Sequence, residues 1–126
     1  MDSMLTVLYA EDEQDIREII DFTLEDEGFE LLICTSGQEA IDKAAGVKPD
    51  LFLLDVMMPG IDGPTTLNRL REFPHLAETP AIFMTAKVQT SEIEEYMALS
   101  GVVGVISKPF DPMTLADQIR ALLSAK

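Results

Sequence analysis

The sequence predicts an α/β fold, a doubly wound parallel sheet of five strands with helices on both faces. Three observations lead there. Short apolar runs alternate five times with segments of helical period. The central run, Leu51 to Leu54 between Asp50 and Asp55, is apolar at every position, as a strand covered on both faces requires. No long linker or internal repeat interrupts the 126 residues, the usual length of one domain.

The elements follow in order. Residues 5–10 (LTVLYA) read as the first strand. From about 14 to 27, Ile16, Ile19, Ile20, Phe22 and Leu24 recur at helical spacing, and Gly28 closes that helix. Residues 29–34 form the second strand. Ser36 and Glu39 have capping-box spacing and open a short helix that ends at Gly46. The third strand is 50–55. Asp62 and Pro64 mark the cap and first turn of a helix through about Glu72. Residues 80–86 are the fourth strand. Ser91 with Glu94 predicts a second capping box, for a helix that ends near Gly101. Residues 102–107 are the fifth strand, and Asp111 with Pro112 opens a last helix running to the chain end. The reading is one domain over residues 1–126, with right-handed crossovers.

Composition narrows the function classes. Hydrophobic residues make up 47% of the chain, enough for a core and too many for a disordered protein. No apolar run approaches the roughly 18 residues that cross a bilayer, and the N-terminus lacks the basic region and cleavage site of a signal peptide. A cytoplasmic protein is expected. The net charge of −14 argues against binding nucleic acid phosphates or an anionic membrane. Cys34 is the one cysteine, so no internal disulfide forms, and its apolar neighbours predict a buried, inert thiol. His75, the one histidine, reads as an exposed loop residue.

In an open parallel sheet, ligands bind outside the C-terminal ends of the strands. At that edge stand Glu11 and Asp12 after the first strand, Asp55 after the third, Thr85 at the end of the fourth, and Lys108 after the fifth. Each alone has an ordinary explanation. Acids favour a helix N-terminus, a threonine is a good strand former, and a loop lysine is usually solvated. Together they are a constellation. Two unit charges 4 Å apart repel by about 4 kcal/mol at an effective dielectric near 20, so the acids must take up protons or a cation. A few hard oxygen ligands suit Mg2+, which keeps several waters and shares its sphere with phosphate. Asp55 could then receive a phosphoryl group, with the Lys108 ammonium and the Thr85 hydroxyl serving its oxygens.

The stretches YAEDE, LLDVMMPGIDG, MTA and SKPF, at these spacings, resemble the receiver domain of two-component response regulators over essentially the whole chain. The chain looks like a single-domain member, similar to chemotaxis regulators and phosphorelay intermediates; the receiver part of a longer regulator would look the same. The resemblance implies a flavodoxin-like fold with strand order 2-1-3-4-5. It implies that Asp55 accepts a phosphoryl group from a histidine kinase or a histidine phosphotransfer protein, that Glu11, Asp12, Asp55 and the Met57 carbonyl hold Mg2+, and that Thr85 and Lys108 contact the phosphoryl group. Ala86 matches the small residue beside the site. It also implies a downstream protein target, no nucleic acid or membrane partner, and a cis peptide bond at Lys108–Pro109. The break after Asp55 then has a purpose: it frees the Met57 carbonyl for metal, while Pro59 and the glycines turn the chain away.

Two departures matter. The first acid is Glu11, where aspartate is common, and a water in the metal shell can absorb the extra methylene. Three positions before the lysine, many receivers carry an aromatic residue that swings inward on phosphorylation. Here Val105 stands there, with too little rotamer freedom for such a swing. Output is then expected from the loop after Thr85 or from phosphoryl relay. The helix from 90 to 101 presents Ile93, Tyr96, Met97 and Leu99 either to the sheet or to a partner. Two other functions compete. A dehalogenase-type phosphohydrolase also uses a strand-end aspartate but needs a second one two positions later, where Met57 stands. A receiver-like binding module that is never phosphorylated usually lacks one of the residues kept here.

Overall fold

The computed structural model describes residues 4–86 and 89–125. Five strands alternate with five helices: β1 Leu5–Ala10, α1 Gln14–Glu25, β2 Phe29–Cys34, α2 Gly37–Ala44, β3 Leu51–Asp55, α3 Gly63–Leu70, β4 Ala81–Thr85, α4 Thr90–Met97, β5 Val102–Ser107 and α5 Leu115–Ser124. All strand pairs are parallel, and the sheet order is β2-β1-β3-β4-β5. This is the flavodoxin-like order that the sequence led us to expect.

Alternation along each strand builds two cores. Leu8, Phe52, Leu54 and Phe83 face one way and pack with Leu67 and Leu70 of α3 and Ala40 and Ala44 of α2. Val7, Tyr9, Leu51, Leu53, Ile82 and Met84 face the other way, against Ile20 and Leu24 of α1 and Leu115 and Ile119 of α5. Every residue of β3 is buried, which explains why its sequence carries no polar alternation. Cys34 is fully buried, and burial pushes its thiol pKa up to about 11.

The caps divide. Ser36 Oγ accepts the Glu39 N–H at 3.1 Å, as the box predicts, although the Glu39 carboxylate reaches Thr35 N–H (2.6 Å) instead of the cap residue's own. Asp62 Oδ1 accepts the Thr65 N–H at 2.8 Å at the start of α3. The expected Ser91–Glu94 box is corrected. Gln89 is already the extended cap residue of α4 and Ser91 lies inside the first turn, where its side chain cannot cap. The last helix also starts later than expected, at Leu115. Asp111 Oδ1 accepts the Met113 N–H at 2.9 Å, an Asx turn that delays the helix. His75 is exposed, but it belongs to a short 3-10 turn, Pro74–Leu76, and its Nε2 lies 3.0 Å from both the Ala44 and Val47 carbonyls at the end of α2.

Candidate functional site

The sheet delivers three of the predicted residues directly. Glu11 follows β1 and is fully buried; its N–H extends the ladder to the Cys34 carbonyl at 3.1 Å. The Arg17 guanidinium, from α1, donates to the Glu11 carbonyl at 2.9 Å, and Glu13 N–H donates to Glu11 Oε2 at 3.3 Å. The turn that carries Glu11 and Asp12 is thus pinned from the helix it leads into. Asp55 ends β3 with its side chain 5% exposed. Lys108 follows β5; its N–H donates to the Thr85 carbonyl at 2.9 Å, and its bond to Pro109 is cis, as expected.

Carboxylate oxygens of Glu11, Asp12 and Asp55 lie within 4.8 Å of one another. Lys108 Nζ stands 2.9 Å from Asp55 Oδ1 and 3.0 Å from Glu11 Oε1. The second contact is a close ion pair outside hydrogen-bond geometry, so Glu11 Oε1 has no directed donor, and neither does the buried Asp12 Oδ1. Burial pushes the Glu11 and Asp55 carboxyls upward, and the Lys108 ammonium pulls both part of the way back. For Lys108, burial pulls downward, but the carboxylates of Asp55 and Glu11 outweigh it and leave the ammonium pKa raised. Two of the three acids share one lysine, two buried oxygens of the cluster want a directed donor or a cation, and all the ligands are hard oxygens. This donor set fits a divalent cation of the Mg2+ type.

The remaining predicted residues sit around this cluster. Thr85 is buried at the end of β4, one step beyond the Asp55–Met84 register pair. Met57 follows Asp55 by two residues with its side chain 61% exposed, while its neighbour Val56 is fixed on both sides, N–H to the Met84 carbonyl and carbonyl from the Gly63 N–H, each at 2.9 Å. Ala86 is exposed at the rim. Val105 is half-buried and packs with Tyr96 and Leu99 against the core under α4. Residues 87–88 of the loop after Thr85, where the sequence reading placed a moving part, lie outside the described residues.

Three residues at this edge escaped the sequence reading. Arg17 reads as an ordinary charge on α1. Tyr9 reads as a good strand former. Gly63 reads as part of a turn, yet a Cβ built on it would stand 2.5 Å from the Asp55 carbonyl oxygen. The one signal for Gly63 was the density of turn formers just after the strand-end acid.

Comparison with known proteins agrees with this geometry. A family model described as the response regulator receiver domain matches residues 7–120. The chain is 38% identical over 118 residues to the probable transcriptional regulator ycf29 of Porphyra purpurea, covering 93% of this chain and 56% of that protein. It is 32% identical over 118 residues to the alkaline phosphatase synthesis transcriptional regulatory protein PhoP of Bacillus subtilis, covering 93% and 48%. The chain therefore spans about half the length of these relatives. Among solved structures, the chemotaxis response regulator CheY4 of Vibrio cholerae superimposes with a TM-score of 0.88 at 30% identity, covering 95% of this chain and 99% of that one. The receiver domain of the hybrid histidine kinase CckA gives 0.75 at 33% identity, covering 94% and 98%. Two relatives are named as transcriptional regulators, so the charge argument against nucleic acid describes the surface of these residues and not a longer protein. Among the described residues, no helix is long and apolar enough to cross a membrane.

Proposed function

The chain belongs to the response regulator receiver domain family, and from that premise we propose that it is a phosphorylation-controlled signalling module whose acceptor is Asp55. The observation that carries the reading is the cluster itself: three carboxylates with oxygens within 4.8 Å, and one ammonium 2.9 Å from Asp55. An Asp55 carboxylate oxygen attacks the phosphorus of a phosphohistidine on a kinase or phosphotransfer protein. The O–P bond forms as the P–N bond breaks, and the imidazole leaves with the electron pair. Glu11, Asp12, Asp55 and the Met57 carbonyl would hold Mg2+, which when bound supplies positive charge against the acids and the phosphoryl oxygens. The rest falls to the chain. Rigid β3 holds Asp55 at the rim, Lys108 follows the charge from the carboxylate to the phosphoryl oxygens, and Thr85 offers its hydroxyl to another of them.

The module runs through residues 1–126 and hands its signal to a protein partner. The test is incubation with Mg2+ and a small phosphodonor, read by intact mass. One phosphoryl adduct is expected on the wild type and none on Asp55→Asn. A wild type that stays unmodified, or an adduct undiminished in the variant, defeats the reading.

A further inference from the structure

Tyr9 is fully buried, and its hydroxyl has no hydrogen-bond partner among the described residues. That is unusual, because a buried tyrosine normally finds one, and each unsatisfied buried polar group in a native structure calls for an explanation. Its companions in the core, Val7, Leu51, Leu53, Ile20 and Leu24, are apolar, so a phenylalanine would fill the place at lower cost.

The position of the hydroxyl suggests its use. Tyr9 and Glu11 are two residues apart at the end of β1, so both side chains project from the same face of the sheet. Tyr9 pairs in register with Leu53, which sets Asp55 beside Glu11 one pleat further on. Burial raises the phenol pKa first; the charges of Glu11 and then Asp55 raise it further, while Arg17 lowers it. On the same face, Glu11 Oε1 is also buried and lacks a directed donor. A phenol O–H and a carboxylate oxygen are matched as donor and acceptor: the phenol lacks a partner, and Glu11 Oε1, paired only in charge with Lys108 at 3.0 Å, keeps a lone pair for a directed donor.

We infer that Tyr9 is a positioning residue for the metal-binding acids: its hydroxyl donates to a single bridging water, which donates in turn to Glu11 Oε1. One such water satisfies both groups. The link also answers a need particular to this chain. A glutamate in the first acidic position has one more rotatable bond than an aspartate. Its backbone is held by Arg17 and its Oε2 by Glu13 N–H, and the Tyr9 link fixes the other oxygen toward Asp12 and Asp55.

This inference rests on the Mg2+ reading of the site, and the test separates the two. Calorimetric titration of the wild type with Mg2+ comes first, and no binding there removes both. Partners that orient a metal ligand from behind usually cost at least tenfold in affinity when lost, so Tyr9→Phe is expected to weaken Mg2+ binding about tenfold. The same change made in a Glu11→Ala background is expected to add nothing further, because the accepting oxygen is already gone. A merely structural tyrosine gives the opposite pattern: unchanged Mg2+ affinity in Tyr9→Phe and a higher melting temperature of the metal-free protein. That result overturns the inference. Should Tyr9→Phe fail to fold, proton NMR of the wild type decides. A slowly exchanging Tyr9 hydroxyl proton that shifts on Mg2+ addition supports the link, and the lack of one overturns it.

Discussion

Replacing Gly63 with alanine tests how Asp55 is held. Gly63 is the first residue of α3, and its N–H donates to the Val56 carbonyl at 2.9 Å. On propensity alone, alanine in a helix is better than glycine by up to about 1 kcal/mol. The structure reverses the sign. The new Cβ would meet the Asp55 carbonyl oxygen at 2.5 Å and Val56 Cα at 3.0 Å, where ordinary contact begins at 3.4 Å. Both obstacles are backbone and cannot rotate aside. Overpacking of this kind costs about 1–3 kcal/mol. With two backbone obstacles the cost is taken at the middle of that range, about 2 kcal/mol, and the propensity gain leaves a net loss of about 1 kcal/mol, or roughly 5 °C in melting temperature for a domain of this size. The movement needed is close to 1 Å and falls on the Asp55 peptide itself, and if Asp55 is the acceptor, misplacement on that scale costs about 100-fold in rate. Urea unfolding and the rate of phosphorylation by a small donor should therefore fall together. Gly60→Ala is the control. Gly60 has φ of +83° but open space around its Cβ position, so this variant should lose stability through backbone strain and keep its rate. A Gly63→Ala protein as stable as the wild type and as quickly phosphorylated would refute the argument.

Other changes probe the charge cluster and the scaffold. Lys108→Met leaves Glu11 and Asp55 buried without their counter-charge and should cost about 3 kcal/mol by urea unfolding in chelator, with much of the loss recovered in Mg2+; equal losses in both conditions would speak against a shared cation site. Ser36→Ala removes the α2 cap and should cost about 1 kcal/mol, measured the same way. Glu39 is held below its ordinary 4.5 by hydrogen bonds from the Thr35 N–H and hydroxyl. Its contribution is therefore present above pH 4.5 and lost as pH falls through its depressed value, so Glu39→Gln should flatten the acid limb of a stability–pH curve. Cys34, fully buried with its pKa near 11, should react slowly with a thiol reagent in the native protein and at once in urea. Fast native labelling would contradict its place in the core.

The sequence exposed the parts of this site that topology fixes. Once five strands alternate with five helices, Glu11, Asp55 and Lys108 must stand at one edge, because each ends or directly follows a strand. What it hid depends on distances between elements. Gly63 looked like turn chemistry because its close approach to Asp55 exists only after α3 packs on β3. Tyr9 looked like a strand former because nothing in a single chain shows that a hydroxyl will end up buried near an acid. The misplaced starts of α4 and α5 have a local cause. Ser, Asp and Thr can each bond to nearby backbone in several ways, and the cap spacing at Ser91 and the acid at Asp111 were each compatible with a start that neighbouring residues overrode.

Val105 removes one route by which a change at Asp55 could reach the surface, and the packing favours another. Each of α1, α2, α3 and α5 has at least two fully buried residues; α4 has none. It is attached by partly buried side chains, chiefly Tyr96, whose ring lies 5.6 Å from that of Phe83 in β4. Just past its C-terminal end, Arg71 donates to the Ser100 carbonyl through Nε at 3.2 Å and Nη2 at 2.8 Å, and to the Leu76 carbonyl through Nη1 at 2.8 Å. The helix is thus tethered at one end and lightly packed along its length. On its other flank a space of about 410 Å³ opens among Ile93, Val105, Ser107, Lys108 and Pro109. Displacing a helix costs in proportion to the apolar surface it must uncover, so α4 is the cheapest helix of this fold to move. Lys108, which contacts Asp55, faces α4 across that space, and Phe83, which touches Tyr96, lies two residues before Thr85. Among the described groups between Asp55 and α4, Phe83 touches the helix through Tyr96, so Tyr96, not residue 105, is the aromatic side chain placed to register a shift.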